Sequence, residues 1–333
     1  MKTPFLRVIS PLALMLAMSS LSAQDWQMPR TPEGQPDLQG IWTNATQTPL
    51  QRPEEFGNKG FLTEAEANDQ SQSWKNRIER ASLPSDADRA PPTDGNTAAG
   101  YNSFWVDRGT DVIEINGEYR TSIIVDPANG RIPYVEGFKS NALSSQLRGI
   151  AGVNPYDGHE LRPLGERCLL SFGSSSGPPM LPVMYNNNYQ IVQTADYVMI
   201  EVEMVHDVRI IPLDKERNGN DMNKWMGDSV GYFEDDVLVV ETRNFHDFQS
   251  YRGSSQELTI IERFELIEED KIKYSFTMHD PQSFQRDWTG EIAMNRRPAG
   301  DRMYEYACHE GNYAFPGILG GARRLESEAR LEQ

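Results

Sequence analysis

Cysteine is scarce in this chain: 333 residues contain two, Cys168 and Cys308. Two thiols without CxxC spacing do not make a zinc site, and a single pair permits one disulfide connectivity. Positive charge is also short, 32 Lys and Arg against 49 Asp and Glu, for a formal net charge of −17. A surface that negative repels nucleic acid and anionic lipid, so neither is an expected partner. After the first twenty residues no apolar run reaches the roughly 20 residues of a membrane-spanning helix. There is no GxSxG elbow, glycine-rich phosphate loop, dinucleotide fingerprint or EF-hand. These absences set aside several named chemistries. The residues name no cofactor and no metal.

The one concentrated apolar run opens the chain. Lys2 and Arg7 precede mostly apolar residues from 8 to 18, and Ser19, Ser20, Leu21, Ser22 and Ala23 offer small residues for cleavage. That three-part layout is a secretory signal, too short to span a bilayer, with Gln24 as the mature N-terminus. No cysteine lies near the cleavage point to carry a lipid. The expected location is periplasmic or secreted, and losing Lys2 and Arg7 brings the net charge to −19. An oxidising compartment favours a Cys168–Cys308 disulfide. Closing so long a loop contributes about 4–5 kcal/mol in the chain-entropy model. It would tie residues 164–170 to residues 304–312.

The chain divides into a signal (1–23), a loop-rich N-terminal region with one helix (24–110), a β-rich domain (111–323) and a C-terminal tail (324–333). Thr63 followed three residues later by Glu66 is a capping box that opens a polar helix to about Ala81. Residues 82–100 read as a loop. Asn116-Gly117 between two β-type runs is a strong hairpin signal. Alternation is clear in the C-terminal half: residues 198–211, 229–233, 237–244, 258–267, 271–279, 289–294 and 302–309 read as strands. Short connections between sequential strands predict a mainly β fold, an antiparallel meander closing into a lipocalin-like barrel. A β-sandwich is the alternative.

All five histidines precede an acid, at His159-Glu160, His206-Asp207, His246-Asp247, His279-Asp280 and His309-Glu310. Adjacent strand residues point to opposite faces, so such a dipeptide inside a strand is not a dyad and each imidazole needs another partner. Read as one strand, residues 198–211 put His206 in an apolar row and Glu201, Glu203, Asp207 and Arg209 in a polar one. If the polar row lines the barrel, Arg209 holds an anionic group of a ligand; otherwise it belongs to a surface ladder of charges. His309 and Glu310 sit at an expected strand end beside the disulfide, suited either to acid–base work or to capping a turn. HEGNY lacks the second histidine of HExxH. Asp228, in the short glycine turn after Trp225, is a candidate acid or base, although Asp in turns usually bonds its own backbone. Asn187 and Tyr189, in a run of three asparagines between tyrosines, could hold a sugar or phenol, or simply form a turn.

Residues 34–42, 177–182, 186–194, 204–213, 225–229 and 304–313 together resemble a family of exported, uncharacterised proteins of environmental Gram-negative bacteria. The Cys-His-Glu-Gly-Asn-Tyr run at 308–313 is the most specific piece. The resemblance covers nearly the whole mature chain. It implies export and a single domain, and carries over no catalytic residue.

Two main expectations follow. One is an exported hydrolase or lyase acting on a small polar or aromatic substrate. In it His309 and His206 are acid–base groups, Asp207, Asp228 and Glu310 assist, and Arg209, Asn187 and Tyr189 bind substrate. The other is a lipocalin-like small-molecule carrier without catalysis. A purely structural envelope role is a third. Convergence of the histidines and acids on one cavity favours the enzyme. An apolar lumen with the histidines outside it favours the carrier.

Overall fold

In the computed structural model, residues 26–84, 88, 106–140, 146–147, 150, 152–171, 176–217 and 222–332 are described. The expected signal segment, and most of the loop at 82–100, lie outside them.

The capping box forms as read. Helix α1 is Glu64–Ala81, the Thr63 hydroxyl accepts from the Glu66 amide at 3.3 Å, and the Glu66 carboxylate accepts from the Thr63 amide at 2.8 Å. A three-stranded sheet lies beside it, built from β2 (Phe61–Leu62), β3 (Glu114–Ile115) and β4 (Glu118–Arg120) in the order β2-β4-β3. Asn116-Gly117 is the β3–β4 turn, both residues with positive φ, as the hairpin signal requires. Leu62, Ala67 and Val112 form a small core under this layer. Strand β5 (Ile124–Asp126) then pairs with the main sheet.

The main sheet is the barrel. Its strands are β1 (Gly40–Thr43), β6 (Asn188–Gln193), β7 (Tyr197–Val202), β8 (Val208–Pro212), β9 (Asp228–Glu234), β10 (Val237–Arg243), β11 (Thr259–Glu268), β12 (Lys271–His279) and β13 (Trp288–Arg296). The order is β8-β7-β6-β1-β13-β12-β11-β10-β9, and every paired neighbour is antiparallel. Nine is an odd number, so a ring of strands that reverse at every step must contain one parallel contact. That contact is the β8–β9 seam, where Leu213 and Gly231 form a parallel bridge and the Asp214 amide donates to the Gly231 carbonyl at 2.9 Å. Parallel neighbours need a long connection, and residues 213–227 supply it. A Cβ on Gly231 would lie 2.9 Å from Ile211 Cγ2, so glycine lets the strands approach there.

The barrel interior is a packed core rather than an open lumen. Trp42, Tyr189, Phe264, Tyr274, Phe276, Trp288 and Met294 are all essentially inaccessible. Phe264, Tyr274, Phe276 and Trp288 follow one another with ring centroids 4.9–5.8 Å apart. This is the barrel expected from the meander, with its interior filled by side chains as in small barrels generally.

Three local expectations are corrected. Residues 198–211 are not one strand. They form the β7–β8 hairpin, with a turn at Glu203–Asp207 in which Val205 takes φ 66° and the Val202 amide bonds the Asp207 carbonyl at 2.8 Å. Cross-strand partners share a face, and Ile200 pairs with Arg209, as Val198 does with Ile211. The turn therefore shifts the alternation by one: Arg209 points inward, while Val208 and Ile210 face outward. Residues 302–309 form no strand, because they lie across the barrel surface without a ladder partner. The chain ends in helix α2 (Ala314–Leu331), which replaces the expected tail and runs across residue 323. Three glycines and a proline in its first eight residues masked it, whereas Arg323–Glu326 and Arg324–Glu328 pairs support its second half.

Candidate functional site

The parity of nine strands creates a defect, and the candidate site lies there. Below the Leu213–Gly231 bridge, β8 and β9 diverge and leave a crevice of about 340 Å³. Its apolar walls come from Leu169, Leu170, Val208, Ile210, Trp225 and Met226. Its polar lining comes from Asp207, Arg209, Lys224 and Ser229.

Arg209 is the deepest of these, buried together with Glu262. Arg209 Nη1 donates to Glu262 Oε1 at 3.0 Å and Nη2 to Oε2 at closer range, a bidentate pair. The Tyr274 hydroxyl donates to Glu262 Oε1 at 2.8 Å and accepts from the Met180 amide at 3.0 Å. Asn44 Nδ2 joins this layer through the Met180 carbonyl (2.9 Å) and the Tyr189 hydroxyl (3.2 Å). Burial disfavours a charged Arg209, but the charge of Glu262 and the bonds to it outweigh burial and raise its pKa. Burial also drives Tyr274 well above the ordinary phenol value, and the Glu262 charge adds to that. Arg209 is therefore a fixed cation whose charge is already balanced. Its Nε, however, is buried and has no hydrogen-bond partner among the described residues. Gly177, at φ 77°, packs close against Met180, whose Cγ would lie 2.7 Å from a Cβ there.

The walls are held from outside. Trp225 stacks on His246 with ring centroids 3.9 Å apart and planes 17° apart. The Phe248 amide donates to His246 Nδ1 at 3.2 Å, fixing the imidazole under the indole. On the opposite wall, Leu169 follows Cys168, which is bonded to Cys308 with a Cα–Cα distance of 5.7 Å. The expected disulfide is present. It anchors residues 304–312 as a strap: the Tyr304 amide bonds Glu203 Oε1 at 3.2 Å, and Asn312 Nδ2 bonds the Glu166 carbonyl at 2.8 Å.

Of the residues singled out by sequence, Asp207 and Arg209 line the crevice together, with Asp207 accepting from the Ser176 hydroxyl at 3.0 Å. The expected role of Arg209 in holding an anion is corrected, because Glu262 already occupies its fork. Asp228 does not line the crevice: it is held by Lys224 and Arg217 and lines a neighbouring pocket. His309 and Glu310 are exposed on the strap. The side chain of His206 lies outside the described residues. Asn187 and Tyr189 are not ligand contacts, because both are fully buried. Asn187 clamps a loop, accepting from the Val183 amide at 2.8 Å and donating to the carbonyls of Asp107 (2.6 Å) and Val183 (3.1 Å). Tyr189 belongs to the core.

The other histidines are peripheral. His159 meets Glu160 at 3.0 Å on a 3-10 turn, and His279 meets Asp287 at 2.7 Å, both exposed. Among the described residues no three His, Cys, Asp or Glu side chains gather to hold a metal ion.

Glu262 and Tyr274, which hold Arg209, and Trp225 as a crevice wall were not among the candidate site residues read from sequence. The signal was present for Glu262: it is the lone acid in the row Leu258, Ile260, Phe264 and Leu266, and a carboxylate in an apolar row requires a buried partner. No protein-family model, curated protein or solved structure matches the chain.

Proposed function

We propose that this chain is an exported small-molecule-binding barrel protein that takes a neutral aromatic or apolar ligand into the seam crevice. The observation that carries the reading is the Trp225 indole, stacked on His246, in a crevice walled also by Met226, Leu169, Leu170, Val208 and Ile210. Because Glu262 balances the Arg209 charge, a neutral ligand suits the site better than an anion. Trp225 supplies a flat stacking surface already braced by His246. The filled barrel core supports a ligand at the seam rather than in the lumen. The disulfide suits an oxidising compartment, and no helix of the described residues is long and apolar enough to cross a membrane.

The test is titration with 2-acetonaphthone, a neutral aromatic ketone, followed by tryptophan fluorescence and calorimetry. Ile210→Lys changes an exposed wall residue without touching the core, and should weaken binding at least about tenfold. Equal binding by wild type and variant, or no binding by either, contradicts the proposal.

Catalysis is the second reading, favoured by the Asp207 carboxylate in the same crevice. It would make Asp207 the acid–base group of a hydrolase or lyase. Turnover of an aryl ester by wild type but not by Asp207→Asn would support it; turnover unaffected by that change would not. A fall in turnover on His309→Ala would instead restore the strap histidine to the mechanism.

A further inference from the structure

We infer a second ligand site, distinct from the seam crevice and independent of its assignment, that binds a small aromatic or aliphatic carboxylate. It is a pocket of about 400 Å³ between residues 46–50, residues 181–184 and Trp74 of α1. Pro49, Leu50, Ile123, Leu181 and Val183 give it an apolar side, Thr46, Gln47 and Thr48 a neutral polar edge, and two guanidinium groups, Arg108 and Arg252, share the lining.

In a chain of net charge −17 most described cations near an acid are already in ion pairs. Arg108 and Arg252 are exposed and neither has a carboxylate partner among the described residues. Two such groups on one pocket with an apolar side are complementary to an anion with an apolar body: the guanidinium fork matches a carboxylate, and the apolar side takes the rest.

The pocket is built rather than incidental. The Ile123 amide bonds the Pro49 carbonyl at 2.8 Å, joining one wall to the lead-in segment. Asn187 fixes the other, bonding both main-chain groups of Val183 and the carbonyl of Asp107, the residue before Arg108. Gln47 Nε2 donates to the Arg108 carbonyl at 3.4 Å. Arg252 takes φ 53°, a conformation uncommon for a non-glycine residue, and its carbonyl accepts from the Tyr134 hydroxyl at 3.1 Å. The backbone at both arginines is thus tied down while their side chains reach solvent.

Calorimetry with 2-naphthoate and its neutral methyl ester tests the site, using the full disulfide-bonded protein. The acid should bind wild type at least about tenfold more tightly than the ester. Arg108→Gln with Arg252→Gln should abolish that preference, Arg108→Lys should retain part of it, and saturating 2-acetonaphthone should leave it unchanged. Absence of naphthoate binding, equal affinity for acid and ester, or a preference that survives in the double variant overturns the inference. Both arginines are exposed, so an unchanged thermal transition will show that the variants fold. Loss of acetonaphthone binding with naphthoate binding intact would refute the crevice and leave this site standing.

Discussion

Arg209 and Glu262 face each other inside the barrel from β8 and β11, 53 residues apart in sequence, as a bidentate ion pair shut off from solvent. Removing one member leaves the other charged and buried, which costs about 3–5 kcal/mol, whereas replacing both with apolar residues costs far less. Glu262→Gln should therefore shift the urea midpoint much more than Arg209→Met combined with Glu262→Leu. Additive losses in a double-mutant cycle, with the double variant losing as much as the two single variants together, would show that the pair is not a unit.

The disulfide closes a loop of 140 residues in sequence separation. Reduction, or Cys168→Ser with Cys308→Ser, should lower unfolding free energy by about 4–5 kcal/mol in the chain-entropy model. Hydrogen exchange should accelerate first at residues 304–312, then at the Leu169–Leu170 wall. Unchanged protection of the strap on reduction would mean that the Glu203 and Asn312 contacts hold it alone.

Much of this fold was legible in sequence, and what was not has a physical cause. The capping box gave α1 to the residue because Thr63 and Glu66 specify the helix start locally. β12 was also read to its boundaries, since Lys271–His279 alternates without interruption. The β7–β8 hairpin was hidden because its turn carries no glycine or proline, only Val205 in a left-handed conformation. That concealed turn reversed the side on which Arg209 falls, and with it the site. The crevice itself depends on the contact between strands 8 and 9, a long-range consequence of strand count that no local pattern records.

Gly231 should be intolerant of a side chain. A Cβ there would lie 2.9 Å from Ile211 Cγ2 and 3.3 Å from Leu213 Cδ2. Gly231→Val should overpack the seam and cost about 1–3 kcal/mol, seen as a lowered thermal midpoint. A neutral effect would show that the seam is looser than its bridge suggests.

The N-terminus of α1 should depend on pH in a defined direction. Hydrogen bonds from Lys59 and from the amide and hydroxyl of Thr63 hold the Glu66 carboxyl down to about 2. A depressed folded-state pKa stabilises above the unfolded value, and that contribution is lost as pH falls toward 2. Carboxyl NMR should find Glu66 still ionised at pH 3.5, when ordinary glutamates are mostly protonated. A Glu66 midpoint near the ordinary glutamate value of 4.5 would remove the capping box as a source of acid sensitivity.

The most direct test of the seam site is the Trp225 indole N–H resonance, assigned by its loss in Trp225→Phe. Titrating 2-acetonaphthone should shift that proton as the ligand stacks on the indole. A ligand that binds while the Trp225 indole resonance stays in place would contradict the assignment of the crevice as the binding site.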